Sequence, residues 1–320
     1  MIQLEPIYEP IRHDLVKVES ILEGIVNEAD PFLAGALRRA LSPRGKRLRP
    51  ALLILSSNAV NGATDVSRAA AAVELVHSAA LLHDDVVDHA ETRRGSLTAK
   101  EELGDSLSIV LGNYLYSRAF GLMPNSNRLR HLLLAATTAM CSGEAHELAR
   151  RGVLNIGPGD YIHVAGKKTA VLTSACCAMG ASLGKADPEV CSALACYGLL
   201  LGLAFQIRDD CLDIKGEKET MGKGCCRDFA EGNATLPLIL ALPLMNRNER
   251  RKVRSVFNGC DEAEATWLAQ TVERRGGIQK SMLLAKDFSK RAVGNLEAVH
   301  ESEAKESLRL LAAYSVERDT

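Results

Sequence analysis

Long apolar runs are missing from this 320-residue chain: the longest, near Gly198 to Phe205, is shorter than the roughly 20 residues that cross a bilayer, which argues against a membrane span. An excess of one charge is missing too. The net charge of −1 argues against a general nucleic-acid binder, so any anion site must be local. Nine cysteines include the neighbours Cys176/Cys177 and Cys225/Cys226, but there is no CxxC and no Cys/His ligand spacing. Neighbouring cysteines cannot easily bridge each other, so the thiols are read as reduced. The start, MIQLEPIYEPIRHDL, has acids and prolines where a secretory leader needs a basic and then an apolar run, and the expectation is a cytoplasmic protein. No Pro/Ser/Gly-rich linker divides residues 1–320, which favours a single domain. What is present, 47% apolar and 25% charged residues, is the make-up of a soluble globular protein with a substantial core.

Helix periodicity runs almost throughout, and prolines and glycines fall between the periodic segments, so the fold class is all-α and no credible strand is found. Asp30-Pro31 predicts the cap and first residue of a helix to about Ala40; Pro50 opens the next, which Asn61-Gly62 closes; Asp65 caps a long helix through Leu75, Ala79 and Leu82. Helices are expected from about Thr98 to Met123, from Arg128 to Arg151, after Asp160 as a cap, and after Asp187-Pro188. The segments from Pro237 to Arg318 complete the bundle and carry no candidate site. Between Lys215 and Asn233, KGEKETMGKGCCRDFAEGN is glycine-rich and charged, and its length and position favour a lid.

The stretch LLHDDVVD, Leu81 to Asp88, puts three carboxylates and a histidine into eight residues of an otherwise apolar helix. Asp84 and Asp88 are four residues apart and share a helix face with Asp85 beside them, so their oxygens can converge on the same cations. One such cluster is also what a solvated helix end looks like. A second, Asp209, Asp210 and Asp213 in FQIRDDCLD, repeats the i, i+1, i+4 spacing at the end of another apolar run. Two acidic clusters facing each other would repel, and cations between them would relieve this. Magnesium bridging a diphosphate fits best, because it takes carboxylate and phosphate oxygens and is rarely caged by protein alone.

Cations accompany the acids. The loop SPRGKRLRP holds Arg44, Lys46, Arg47 and Arg49 around Gly45, so backbone amides and cations can reach one anion together, although a bare charge run is more often a solvated loop. After the first cluster, ETRRGS offers Arg93 and Arg94. His77 lies about two turns before Asp84 on nearly the same face; alone it would read as a core histidine, and beside these cations it reads as a diphosphate ligand. Lys167, Lys168 and Thr169 precede the small-residue run SACCAMGASLG, which permits close helix packing.

In this order the pieces resemble the all-trans polyprenyl diphosphate synthases of the long-chain, octaprenyl and heptaprenyl type. The resemblance rests on GKRLRP at 45 to 50, HSAALLHDDVVD at 77 to 88, RRG at 93 to 95, GNYLYSRAF at 112 to 120, GE at 143 to 144, KTA at 168 to 170, FQIRDDCLD at 205 to 213, GK at 222 to 223 and TLPLI at 235 to 239. It implies an isoprenoid-synthase-type bundle of antiparallel helices around a deep cavity, active as a homodimer. It implies a transferase that joins isopentenyl diphosphate head to tail onto an allylic prenyl diphosphate. The expected product is a hexa- to decaprenyl diphosphate for quinone side chains, with transient membrane association for its release.

The resemblance also implies roles. Asp84, Asp88 and Asp209 would be the principal ligands of three magnesium ions, with Asp85, Asp210 and Asp213 in support. Arg93, Lys168 and Lys223 would bind the allylic diphosphate, and Gly45, Lys46, Arg49, His77 and Arg94 the diphosphate of isopentenyl diphosphate. Gln206 and Thr169 would offer oxygens to the allylic cation. The tail would descend past Ala80, Ala79 and Val76, where short-chain members carry an aromatic residue, towards a floor for which Met123, Leu122 and Met140 are candidates. Three positions depart from the family pattern: Asn233 replaces a lysine, Asn113 an aspartate and Glu147 a glutamine. The alternatives are a short-chain farnesyl or geranylgeranyl diphosphate synthase and a non-catalytic subunit of a heteromeric synthase; the latter usually has eroded acidic motifs, and both are intact here. A terpene cyclase would lack GKRLRP and two matched aspartate clusters.

Overall fold

The computed structural model describes residues 3–41, 45–60, 62, 65–93, 96–216, 226–257 and 259–318. Its first half runs α1 (Leu4–Tyr8), α2 (Arg12–Glu28), α3 (Pro31–Ala40), α4 (Leu48–Asn58), α5 (Ser67–Val87), α6 (Ala99–Leu103), α7 (Asp105–Leu122) and α8 (Asn127–Arg150). The second runs α9 (Pro158–Ala165), α10 (Val171–Leu183), α11 (Pro188–Lys215), α12 (Arg227–Ala230), α13 (Leu236–Ala241), α14 (Arg247–Val256), α15 (Glu262–Arg274), α16 (Gly277–Asn295) and α17 (Glu303–Glu317).

Local chemistry sets most of these ends. Asp30 accepts from the Phe32 amide at 2.8 Å and caps α3; Asp65, expected as a cap, stands one residue before the N-cap Val66 of α5 and accepts from the Ser67 amide at 2.9 Å. Four other expectations are corrected. The helix expected from Thr98 to Met123 is two, because Gly104, at φ +83°, breaks it. Helix α4 starts at Leu48, before Pro50, with Arg47 at its N-cap in the left-handed region. Asp160 is not the cap of α9: it lies in the first turn and its carboxylate accepts from the Gly157 amide at 3.2 Å. A two-residue antiparallel pair, Thr92–Arg93 with Ser96–Leu97, also forms just after the first acidic cluster.

Two buried apolar clusters support the bundle. One gathers α2, α4, α5, α7, α8, α10 and α17, the other α9, α11 and α13 to α16. Helix α10 packs on both α4 and α11, and small residues make this possible. A Cβ on Gly180 would stand 2.1 Å from the Leu53 carbonyl oxygen, and one on Gly198 2.5 Å from that of Thr173. By length and composition α11 could cross a membrane, contrary to the reading of its apolar run as too short; half of its most apolar window is buried in the bundle, as in a core helix. This central helix delivers Asp209, Asp210 and Asp213.

Candidate active site

The two acidic clusters meet across one cavity of about 1030 Å³, with Asp84 on its α5 wall and Asp209 on its α11 wall. Asp88 and Asp210 instead line an adjoining polar cavity of about 140 Å³. Lys168, Thr169 and Gln206 line both. Gly166–Ala170 is a π-turn between α9 and α10, and from it Lys168 reaches Glu144 and Glu147 of α8 while Thr169 reaches Gln206 of α11.

Two expected supporting aspartates stand apart. Asp85 is 4% exposed and lines neither cavity. Asp213 also lines neither; it accepts from the Arg227 amide at 3.1 Å, starting α12, and burial raises it to about 6. The other carboxylates have partners. Asp88 accepts from Arg151 at 2.7 Å, and Asp209 accepts from Arg318. Asp210 receives bonds from the Tyr161 hydroxyl at 2.5 Å and from Gln206 Nε2 at 2.9 Å, while Gln206 Oε1 accepts from Thr169 at 2.8 Å. Burial pushes Asp210 to about 7 and raises its neighbour Asp228 as well.

Lys168 is ion-paired with Glu144 at 2.7 Å and with Glu147. Burial alone would lower its pKa, but the Glu147 and Glu144 carboxylates outweigh this and raise it. Glu147, one of the departures from the family pattern, thus sits directly on a cation expected to hold diphosphate. Asn233 faces the smaller cavity, and the exposed Asn113 lines neither.

The main cavity is also lined by Gly45, Lys46, Arg49 and His77. Arg47 turns inward, bonding Glu19 at 2.5 and 3.1 Å, Glu74 at 2.7 Å and the Leu41 carbonyl at 2.8 Å, so it anchors the loop that presents Lys46. Tyr8 donates to the Lys46 carbonyl at 3.0 Å, and the Lys46 ammonium lies 5.8 Å from the centre of the Tyr314 ring. Arg44, Arg94 and Lys223, the side chain of Arg93, and most of the expected lid fall outside the described residues.

Of the expected tail-wall residues only Ala80 lines the cavity. Ala79 and Val76 are fully buried in the core, and Met123 is buried at the end of α7. Helical rotation explains this: at 3.6 residues per turn Ala80 is about 40° from Asp84 around the axis, Val76 about 80° and Ala79 about 140°. Among the floor candidates Met140 lines the cavity, as do Tyr116 and His83, which sequence reasoning did not propose. The two rings lie 5.7 Å apart, and His83 Nε2 is 3.2 Å from the Ile109 carbonyl. Gly112 leaves the space for that imidazole.

The C-terminal helix corrects the expectation of no site beyond Pro237, since Tyr314 stands by Lys46 and Arg318 reaches Asp209. A lone arginine near a chain end carries no sequence signal, whereas Tyr116 and Glu144 fall within quoted segments. Among the described residues no three His, Cys, Asp or Glu side chains are grouped to hold a metal by themselves. The donors on offer are carboxylates on two walls, which suits a hard divalent cation completing its shell with phosphate oxygens.

The Polyprenyl synthetase family model matches residues 30–273. "Short chain isoprenyl diphosphate synthase" of Methanothermobacter thermautotrophicus is 33% identical over 308 residues, 94% of this chain and 95% of that protein. "Heptaprenyl diphosphate synthase component 2" of Geobacillus stearothermophilus is 32% identical over 322 residues, 99% of each. The crystal structure of polyprenyl synthase from Caulobacter crescentus CB15, complexed with calcium and isoprenyl diphosphate, superposes with a TM-score of 0.95 at 32% identity, covering 99% of this chain and 98% of that one. A helical bundle with acidic motifs on two walls of a central cavity, matched at this level, defines a trans-prenyltransferase acting on isoprenyl diphosphates. The chain belongs to the polyprenyl synthetase family.

Proposed function

We propose that the chain makes a long all-trans polyprenyl diphosphate of about six to ten units, adding isopentenyl diphosphate to an allylic primer in a magnesium-dependent reaction. One observation carries the reading: Asp84 of α5 and Asp209 of α11 line one cavity that also presents Lys46, Arg49 and His77. Two diphosphates therefore find acidic and cationic side chains within one space. Asp84, Asp88 and Asp209 would hold three magnesium ions, which when bound neutralise the allylic diphosphate as it leaves. Lys168 and the Arg93 and Lys223 side chains assist on the allylic side, and Lys46, Arg49, His77 and Arg94 hold isopentenyl diphosphate with its double bond towards the allylic carbon.

As the C–O bond breaks, Thr169 and Gln206 offer oxygens to the allylic cation, and the isopentenyl double bond attacks it. The proton then lost needs only a weak base, and the departed diphosphate serves. No dedicated protein base is required.

Exposed apolar side chains on α7 and α8, Ile109, Val110 and Leu134 among them, support a homodimer. The buried Cys176, Cys177 and Cys211 are free thiols, in keeping with a cytoplasmic enzyme. The short-chain alternative draws support from the name of the Methanothermobacter relative and from Tyr116 in the cavity wall. Incubation of purified protein with labelled isopentenyl diphosphate and farnesyl diphosphate, followed by product sizing, decides between them. A labelled product that stops at geranylgeranyl diphosphate, or a farnesyl primer left unextended, refutes the long-chain reading; sedimentation of the same sample tests the dimer.

A further inference from the structure

We infer that Arg318, just beyond α17, is a positioning residue for the Asp209 carboxylate, and so for the cation that Asp209 would hold; this rests on the metal-ligand reading above. Three sets of contacts lock the arginine. Its carbonyl oxygen accepts from Nε and Nη2 of Arg208 at 2.8 and 2.5 Å. Its guanidinium lies over the Phe205 ring, 3.7 Å from the centroid, and its Nη2 reaches the Phe205 carbonyl at 3.4 Å. From that position Nη2 donates to Oδ1 of Asp209. Phe205, Arg208 and Asp209 lie within five residues of α11, so one short stretch of helix both receives the C-terminal arginine and carries the carboxylate it bonds.

The contact differs from an ordinary surface ion pair. The Arg318 side chain is 5% exposed and the Asp209 side chain 43%, so a dry, fixed donor meets a carboxylate still open to the cavity. One oxygen is taken and Oδ2 is left for a ligand in the cavity. Arg318 Nε is buried without a hydrogen-bond partner among the described residues, a cost that a pair serving stability alone would avoid. Carboxylates that bind metals are themselves held by hydrogen bonds, and removing such a partner typically lowers metal affinity ~10–100-fold. Net charge alone predicts the opposite sign, since deleting a cation beside Asp209 would strengthen its pull on a divalent ion. Geometry favours positioning, because the groups that hold Arg318 lie outside the Asp209 side chain and stay in place when a cation arrives.

The test counts Mn2+ bound to the full chain by electron paramagnetic resonance, with inorganic diphosphate present, for wild type, Arg318→Gln, Arg318→Lys and Asp209→Asn. Arg318→Gln is expected to weaken Mn2+ binding ~10–100-fold, with Arg318→Lys between it and wild type. The magnesium concentration giving half-maximal turnover should rise by the same factor. If the glutamine variant misfolds, the lysine variant carries the test, and its affinity must still fall. Unchanged or tighter Mn2+ binding in the folded arginine variants, alongside a weakened Asp209→Asn, overturns the positioning role. Unchanged binding in Asp209→Asn itself overturns the ligand reading beneath it.

Discussion

Replacing Ala80 by phenylalanine separates the wall that a growing tail meets from the packed core behind it. Ala80 lines the main cavity one turn before Asp84, about 6 Å along the axis at 1.5 Å per residue, and Tyr116 and Met140 line the same space. An isoprene unit adds four main-chain bonds, about 5 Å when extended, scaling from the 3.8 Å that three bonds span in a polypeptide. A ring at position 80 therefore meets the tail near its second unit. Burying one further unit is worth on the order of 4 kcal/mol at ~0.8 per methylene, whereas forcing a ring aside typically costs about 1–3 kcal/mol. On these magnitudes a ring with room to turn would yield, so the stop depends on Tyr116 restricting it. The expected result is a main product of three or four units with a minor longer fraction. Ala79→Tyr should behave differently. Ala79 is fully buried and lines no cavity, so the ring overpacks the core at about 1–3 kcal/mol, and its hydroxyl adds about 1–3 if left unbonded. That variant should melt several degrees lower and keep the wild-type product length. Labelled isopentenyl diphosphate with a dimethylallyl or geranyl primer, dephosphorylation and reversed-phase chromatography give the lengths, and thermal unfolding gives the stabilities. An unchanged product from Ala80→Phe, or a shortened one from Ala79→Tyr at unchanged melting, would refute the assignment of the wall.

Asp84→Ala and Asp209→Ala should each nearly abolish turnover without loss of fold, since each removes a proposed cation ligand; more than a small residual rate at saturating magnesium would contradict the roles. Asn233→Lys should lower KM for the allylic substrate more than for isopentenyl diphosphate, because Asn233 faces the smaller cavity with Asp88 and Lys168. A charged hydrogen bond contributes about 1.5–3 kcal/mol at best, and equal changes in the two KM values would sink the idea. Asp210, held at about 7 against an ordinary 3.8, keeps its proton in the fold where the unfolded chain has lost it. Stability without metal should therefore fall as pH rises through that window, by at most about 4 kcal/mol at 1.36 per unit. Asp210→Asn should make that slope shallower between pH 5 and 8, with the part due to the buried Asp213 and Asp228 remaining, as denaturant unfolding would show; identical slopes would mean that Asp210 is ionised in the fold.

Periodicity, caps and spacing were enough to read an all-α chain, the start of α3 at Asp30-Pro31 and the start of α11 at Asp187-Pro188, because each depends on residues within a turn or two. The same local logic made Asp84 and Asp209 visible: carboxylates at i, i+1 and i+4 after an apolar run are costly to place and so carry information. What lay beyond the sequence was direction and distance. Asp85, Ala79 and Val76 belong to the right segments, but a rotation of 100° per residue turns them from the cavity; Asp213 shares the Asp209 face but lies a turn further on, where the Arg227 amide takes it, and only packed neighbours determine which face is the wall. Arg47 looks like another cation of its loop until Glu19 and Glu74 draw it inward. Arg318 is more than a hundred residues from Asp209 in the chain, and no local pattern encodes that meeting; packing of α17 along α11 brings the two together.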